Sequence, residues 1–229
     1  MTKSALVTGA SRGIGKAIAL RLSQLSYQLV LTGRDRAALE AVAAECATPV
    51  EVIAGDITDP AFIEAAVAHA VQCFGHIDVL VNNAGTANRS PVQSADLEAW
   101  REVLDVNFTA AMVFSRALVP EMIERRSGAI VNISSISGRN TDPGSAIYAA
   151  TKHALNGFSG CLYEDVREFG IKVSTIMPGF VETELTADIG KLQSAMIKAD
   201  DVAAAVEFVL ASSASCCPTE IVLRPQQRP

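Results

Sequence analysis

The stretch SALVTGASRGIG, residues 4–15, decides the fold. SALVT is a short, almost wholly apolar β-rich run. It passes directly into TGASRGIG, with glycines at 9, 13 and 15, and a helical pattern follows without a spacer. Glycines at such a joint let the backbone turn sharply and approach a ligand with no side chain in the way. The helix that opens there turns its free N–H groups and positive dipole end toward an anion. A glycine-rich turn could serve the strand–helix joint alone. Its place after the first strand instead points to a pyrophosphate, with Gly9, Ser11, Arg12, Gly13, Ile14 and Gly15 as cofactor-binding candidates.

Outward from this joint the pattern repeats. Apolar runs at 4–8, 28–33, 50–55, 78–83, 128–134, 171–177 and 220–224 alternate with Ala-rich helical patterns at about 12–26, 35–47, 59–74, 96–126, 145–169 and 199–212. Several runs are apolar nearly throughout, as strands buried on both faces are. The expectation is a doubly wound, parallel seven-stranded sheet in three α-β-α layers with right-handed crossovers. Asp59 with Pro60 marks one helix start, and Ser94 or Asp96 another. Pro120 is expected to kink the long fourth helix or to end its regular part. Neither linker nor repeat interrupts the chain, so residues 1–229 read as one domain.

Composition narrows the function. The 229 residues are 49% apolar and only 5% aromatic, so the core is built from small aliphatic side chains. Lys and Arg number 19 against 25 Asp and Glu, a formal charge of -6, and no basic tract stands out. Nucleic acid is therefore not an expected partner. No uninterrupted apolar run reaches the ~20 residues of a membrane span, and the N-terminus has no signal-peptide core. Five cysteines (46, 73, 161, 216, 217) without a pairing framework read as free thiols in a reducing cytoplasm. His69, His76 and His153 show no ligand spacing, so no metal is expected.

The second strand ends in LTGRD, residues 31–35. An acidic residue at this strand end suits a ribose 2′-hydroxyl, and an arginine suits a 2′-phosphate. Arg34 stands here and Arg12 lies in the glycine loop, which favours NADP(H). NAD(H) is the alternative, with Asp35 taking the ribose. AGDITD (54–59) puts Asp56 near an adenine amino group, and NNAG (82–85) ends the fourth strand.

The fifth strand ends in VNISSISG (131–138), and the next helix opens with AIYAATKHAL (146–155). Ser135, Tyr148 and Lys152 can therefore meet at the same sheet edge. Four helical residues rise about 6 Å, which sets Lys152 below the phenol. A phenol, with a pKa of about 10, is a poor base at neutral pH. A neighbouring ammonium would favour phenolate and bring it toward the range that general acid–base catalysis requires.

In order along the chain, TGASRGIG, NNAG, the Ser135/Tyr148/Lys152 set and PGFVETEL (178–185) resemble the short-chain dehydrogenases/reductases, compact enzymes with a Rossmann fold. Within that family the chain is similar to 3-oxoacyl-[acyl-carrier-protein] reductases. The resemblance implies that Asn107 in DVNF is a fourth catalytic member, in a proton relay with Lys152. It implies that Asn83, Ala84 and Gly85 lie by the adenosine ribose, that Asp56 and Ile57 meet the adenine, and that Tyr148 and Lys152 also touch cofactor. Pro178, Gly179, Val181 and Thr183 would meet the nicotinamide carboxamide. Tyr148 would protonate a carbonyl oxygen steadied by Ser135 as hydride arrives from NADPH. The segment at about 183–198 would be a short substrate lid, open to ketones or aldehydes as well as thioesters. The ending TEIVLRPQQRP is more like reductases of hydroxy acids and other small carbonyls. Arg125 and Arg126 could meet an acidic carrier, or serve as favourable charge at a helix end. Apolar residues on more than one face of the fourth and fifth helices fit the family's homodimers or homotetramers. A cofactor-binding protein without turnover is the rival reading.

Overall fold

A computed structural model of the chain describes residues 2–186 and 193–227. Seven strands, β1 (Ser4–Thr8), β2 (Gln28–Gly33), β3 (Val50–Ala54), β4 (Val79–Asn82), β5 (Gly128–Ile133), β6 (Ile171–Pro178) and β7 (Glu220–Leu223), form one sheet in the order β3-β2-β1-β4-β5-β6-β7. Every pairing is parallel. The helices are α1 (Gly13–Gln24), α2 (Arg36–Glu45), α3 (Pro60–Phe74), α4 (Leu97–Leu104), α5 (Ala110–Arg125), α6 (Ala146–Val166) and α7 (Ala199–Ala211).

Side chains alternate across the pleat, which explains both cores. Ala5 and Val7 of β1, with Leu29 and Leu31 of β2, face α1, α2 and α7. Leu6 and Val30, on the same two strands, face α3, α5 and α6. The expected doubly wound three-layer sheet is thus present. The strand order reverses between β1 and β4, and at such a point the carboxyl ends of the strands open a crevice.

Local signals set most boundaries. Asp59 caps α3, accepting from the Ala61 N–H at 2.9 Å, with Pro60 in the first turn. Asp96, rather than Ser94, caps α4, accepting from the Glu98 N–H at 3.0 Å. The long fourth helix departs from expectation in two ways. A π-helical turn, Asp105–Thr109, interrupts it, and α5 continues past Pro120 to Arg125, where Arg126 at φ 51° closes it. Pro120 removes one hydrogen bond, but packing of Phe114, Leu118 and Met122 into the core holds the turns on either side.

The helical stretch Leu97–Arg125 is 29 residues long and holds an 18-residue window of mean hydropathy 1.3, enough by length and composition alone to cross a membrane, as core helices also can be. Charges such as Asp105, Arg116 and Glu121 break the run, which is why no apolar tract was visible. Its buried face lies on the sheet.

Candidate active site

The phosphate end is built from β1, β4 and α1. Gly9 and Gly13 have φ of +64° and +54°, which disfavour any side chain. Gly15 is required for closeness: a Cβ there would stand 2.1 Å from the Gly9 carbonyl oxygen. Thr8 Oγ1 accepts from the main-chain N–H groups of Asn83 and Ala84, both at 3.0 Å. The Asn83 amide donates back to the Thr8 and Gly9 carbonyls at 2.9 and 3.1 Å. The Asn83 side chain therefore holds the loop. Extended Arg12 precedes α1 and makes no side-chain cap, so the first-turn N–H groups of α1 are not covered by it. These residues fit a pyrophosphate.

Around the second strand, Asp35 is already engaged, capping α2 through the Ala38 N–H at 3.1 Å. Arg12 pairs with Glu184 at 2.9 Å and Arg34 with Glu102 at 3.8 Å, all four well exposed. Such pairs are weak and yield to a stronger anion. Asp56 accepts from the N–H and hydroxyl of Thr58, both at 2.9 Å, and these bonds, helped by the Arg34 charge, hold its carboxyl below the usual range. Ile57 is buried behind it.

The reacting end gathers on the π-helical turn, β5 and α6. Asn107 is buried, accepting from the Thr86 N–H at 2.8 Å and donating to the Thr86 carbonyl at 2.9 Å. Its amide also donates to Thr151 Oγ1 at 3.2 Å, and Thr151 donates to the Tyr148 carbonyl at 2.8 Å. Lys152 is 4% exposed; its ammonium donates to the Ile133 carbonyl at 3.0 Å and lies 5.8 Å from the Tyr148 ring centre. Gly85 faces both: a Cβ there would be 3.5 Å from Asn107 Oδ1 and 3.8 Å from Lys152 Nζ. Ser135 Oγ accepts from the Ser137 N–H at 3.1 Å, which leaves its own proton to donate.

The electrostatics correct one expectation. Burial pushes the Tyr148 phenol above its ordinary value, while the Ser135 hydroxyl and the Arg89 charge work against the rise. Lys152 does not supply that relief; burial pulls its own pKa from 10.5 down to about 8. The ammonium donates a hydrogen bond to the Ile133 carbonyl and lies over the Tyr148 ring, 5.8 Å from its centre.

The third wall follows β6. Pro178 ends the strand, Gly179 donates to the Leu223 carbonyl at 2.8 Å, and Val181 is buried. Thr183 stands against the glycine loop, its methyl 3.2 Å from where a Gly13 Cβ would be. Residues 187–192 of the expected lid lie outside the described residues. Arg125 bonds Asp78 at 3.1 Å and the Ile77 carbonyl at 2.9 Å, and Arg126 bonds the Glu168 carbonyl at 2.8 Å. Both serve the end of α5.

Sequence reading passed over Thr8, Thr86, Thr151 and Arg89. Thr86 works through main-chain atoms, and its partner is 21 residues away, so no spacing could have marked it. Arg89 lies beside Ser90, whose N–H donates to Gly144 at 3.0 Å just before α6.

A switch-point crevice with this loop at one end and a phenol, an ammonium and a buried amide at the other defines an oxidoreductase that binds a nicotinamide dinucleotide. The chain belongs to the short chain dehydrogenase family, whose model matches residues 3–194. It is 34% identical over 223 residues to an uncharacterised oxidoreductase of Staphylococcus epidermidis, covering 97% of each chain. A metagenomic short-chain oxidoreductase in complex with NADP superposes with a TM-score of 0.88 at 33% identity, covering 99% of this chain and 98% of that one. An alcohol dehydrogenase of the archaeon Thermococcus sibiricus, complexed with 5-hydroxy-NADP, gives 0.92 at 27% identity over 100% and 99%. The enzyme therefore acts on CH–OH or carbonyl groups with NAD(P), and the non-catalytic rival falls.

Proposed function

We propose that the protein is a cytoplasmic NADPH-dependent reductase of small carbonyl compounds, with Asn107, Ser135, Tyr148 and Lys152 as its catalytic set. The observation that carries this reading is the convergence of Lys152, Asn107 and Gly85 with the Tyr148 ring at the edge where α1 opens. A bound nicotinamide would supply the hydride. Ser135 donates a hydrogen bond to the carbonyl oxygen and orients it. The raised phenol keeps Tyr148 protonated, as a proton donor to that oxygen must be. Lys152 and Asn107 lie behind it and return the proton. Arg12 and Arg34 support NADPH over NADH, and the use of Asp35 as a helix cap supports it further.

Arg89 narrows the substrate. It is exposed, acts on the Tyr148 phenol, and has no ion-pair partner among the described residues. An exposed guanidinium whose charge reaches the Tyr148 phenol suits a small oxo acid, its carboxylate held by the arginine. A 3-oxoacyl thioester, with a short lid over the acyl chain, is the second reading, on the TGASRGIG and PGFVETEL motifs. The exposed apolar side chains Leu97 and Leu104 of α4 support a homodimer or homotetramer, which light scattering tests. The deciding experiment follows NADPH consumption over 3-oxo acids, diketones, aldehydes and 3-oxoacyl thioesters. No turnover of any carbonyl, with NADPH bound, would remove the proposal.

A further inference from the structure

Far from this crevice, a second group of side chains converges on the outer face of the sheet edge. α3 carries a stripe at positions 62, 66, 69 and 73, spaced to fall on one helix face. Phe62 at its start packs over Gly55, where a Cβ would be 2.1 Å from the ring, so the stripe lies over β3. β3 is the edge strand. Its Ile53 packs on the α3 side, and by the period of two so does Glu51.

The consequence is a three-donor cluster. His69 Nε2 lies 3.8 Å from Glu51 Oε2 and 3.5 Å from Cys73 Sγ. All three donor atoms fall within 4.8 Å of one another. Around a tetrahedral zinc ion, bonds of about 2.0–2.3 Å place neighbouring donors about 3.4–3.6 Å apart. The separations of 3.5 and 3.8 Å already approach that demand, and side-chain rotations would close the rest.

We propose that Glu51, His69 and Cys73 form a Zn2+ site that clamps β3 to α3, with water as the fourth ligand. One imidazole, one thiolate and one carboxylate suit zinc; a hard cation such as Mg2+ would want oxygen donors throughout. On binding, the Zn–S bond replaces the S–H bond and the thiol proton passes to solvent, so no redox partner is required. The site sits at the opening of β3 and the closing turn of α3. That is the end of the sheet opposite Lys152 and the glycine loop, so zinc here serves the scaffold and leaves turnover alone. Taken separately, the histidines and the cysteines show no ligand spacing. The His69/Cys73 pair is one helical turn apart, and its third donor comes from another element.

The test uses the full chain, stripped with a chelator and titrated with Co2+ and then Zn2+. Expected are one ion per chain, a thiolate-to-cobalt absorption band that zinc displaces, and a rise in Tm. His69→Ala and Cys73→Ser should each weaken Zn2+ affinity about 100-fold or more, since even an outer-sphere partner is worth about 10- to 100-fold. Cys161→Ser should leave binding intact. In the unaltered protein, Zn2+ should slow alkylation of Cys73 as followed by peptide mass spectrometry. Absence of saturable binding, equal affinity in Cys73→Ser, or unchanged alkylation of Cys73 would each overturn the site.

Discussion

The Lys152 ammonium donates a 3.0 Å hydrogen bond to the Ile133 carbonyl, tying α6 to the last residue of β5. This bond fixes which way the lysine points in a nearly closed site. It also leaves a positive charge with little water around it, and burial lowers its pKa to about 8.

That buried charge gives stability a pH dependence in the cofactor-free protein. Below about pH 8 the folded and unfolded chains both hold the lysine proton, and the cost of burying the charge is fully present. Between there and 10.5 the folded lysine is neutral while the unfolded one is still charged. The unfolded state then binds more protons, so stability rises with pH. The whole effect is roughly 3 kcal/mol, at about 1.4 kcal/mol per pH unit of displacement. Thermal melts of the wild type and Lys152→Met from about pH 7.5 to about pH 10 should diverge, with the rise confined to the wild type. Identical slopes would show that Lys152 is not the group concerned.

Tyr148→Phe keeps the ring over Lys152 and removes only the proton donor. Turnover should fall about 100- to 10,000-fold, the usual range for a general acid, while NADPH affinity by fluorescence titration stays put. Substantial activity in the variant would remove Tyr148 from the chemistry.

Gly15→Ala puts a methyl 2.1 Å from the Gly9 carbonyl oxygen and 2.6 Å from the Asn83 amide. The loop must shift, and NADPH affinity should drop at least tenfold, about 1.4 kcal/mol. Circular dichroism should report an unchanged fold. Wild-type affinity would mean that the loop does not hold the cofactor.

Replacing Arg34 by Ser should weaken NADPH binding about 10- to 100-fold, the worth of a charge-assisted hydrogen bond. NADH binding should hardly change. An equal loss for both cofactors would place Arg34 away from a 2′-phosphate.

For Arg89→Ala, steady-state kinetics on a 3-oxo acid should show KM raised about tenfold, a loss of about 1.4 kcal/mol. KM for a neutral diketone should hold. Parallel changes with both substrates would refute a carboxylate contact.

Much of this protein was legible in one dimension. The seven strands and the α1 joint follow from apolar runs and glycine positions, which act on the local backbone. Asp59 and Asp96 announced their helices for the same reason. The Ser135, Tyr148 and Lys152 set was visible from the strand–helix rhythm. The π-helical turn was not: DVNFT has no composition that forbids an ordinary helix. What fixes the turn in place is Asn107, bonded to both main-chain groups of Thr86 on a different segment.

The sequence by itself determined the alternation of strand and helix, the double winding and the residue types of the candidate site. Those depend on backbone periods and on conformations that only glycine or proline allow or forbid. Tertiary structure decided the direction of the Lys152 ammonium, the upward push on the Tyr148 phenol, the use of Asp35 and Asn83 as scaffold, and the meeting of Glu51 with His69 and Cys73. Each of these depends on desolvation, or on bonds between segments distant in the chain. Burial is a property of the packed molecule, and a main-chain carbonyl looks the same at every position of a sequence.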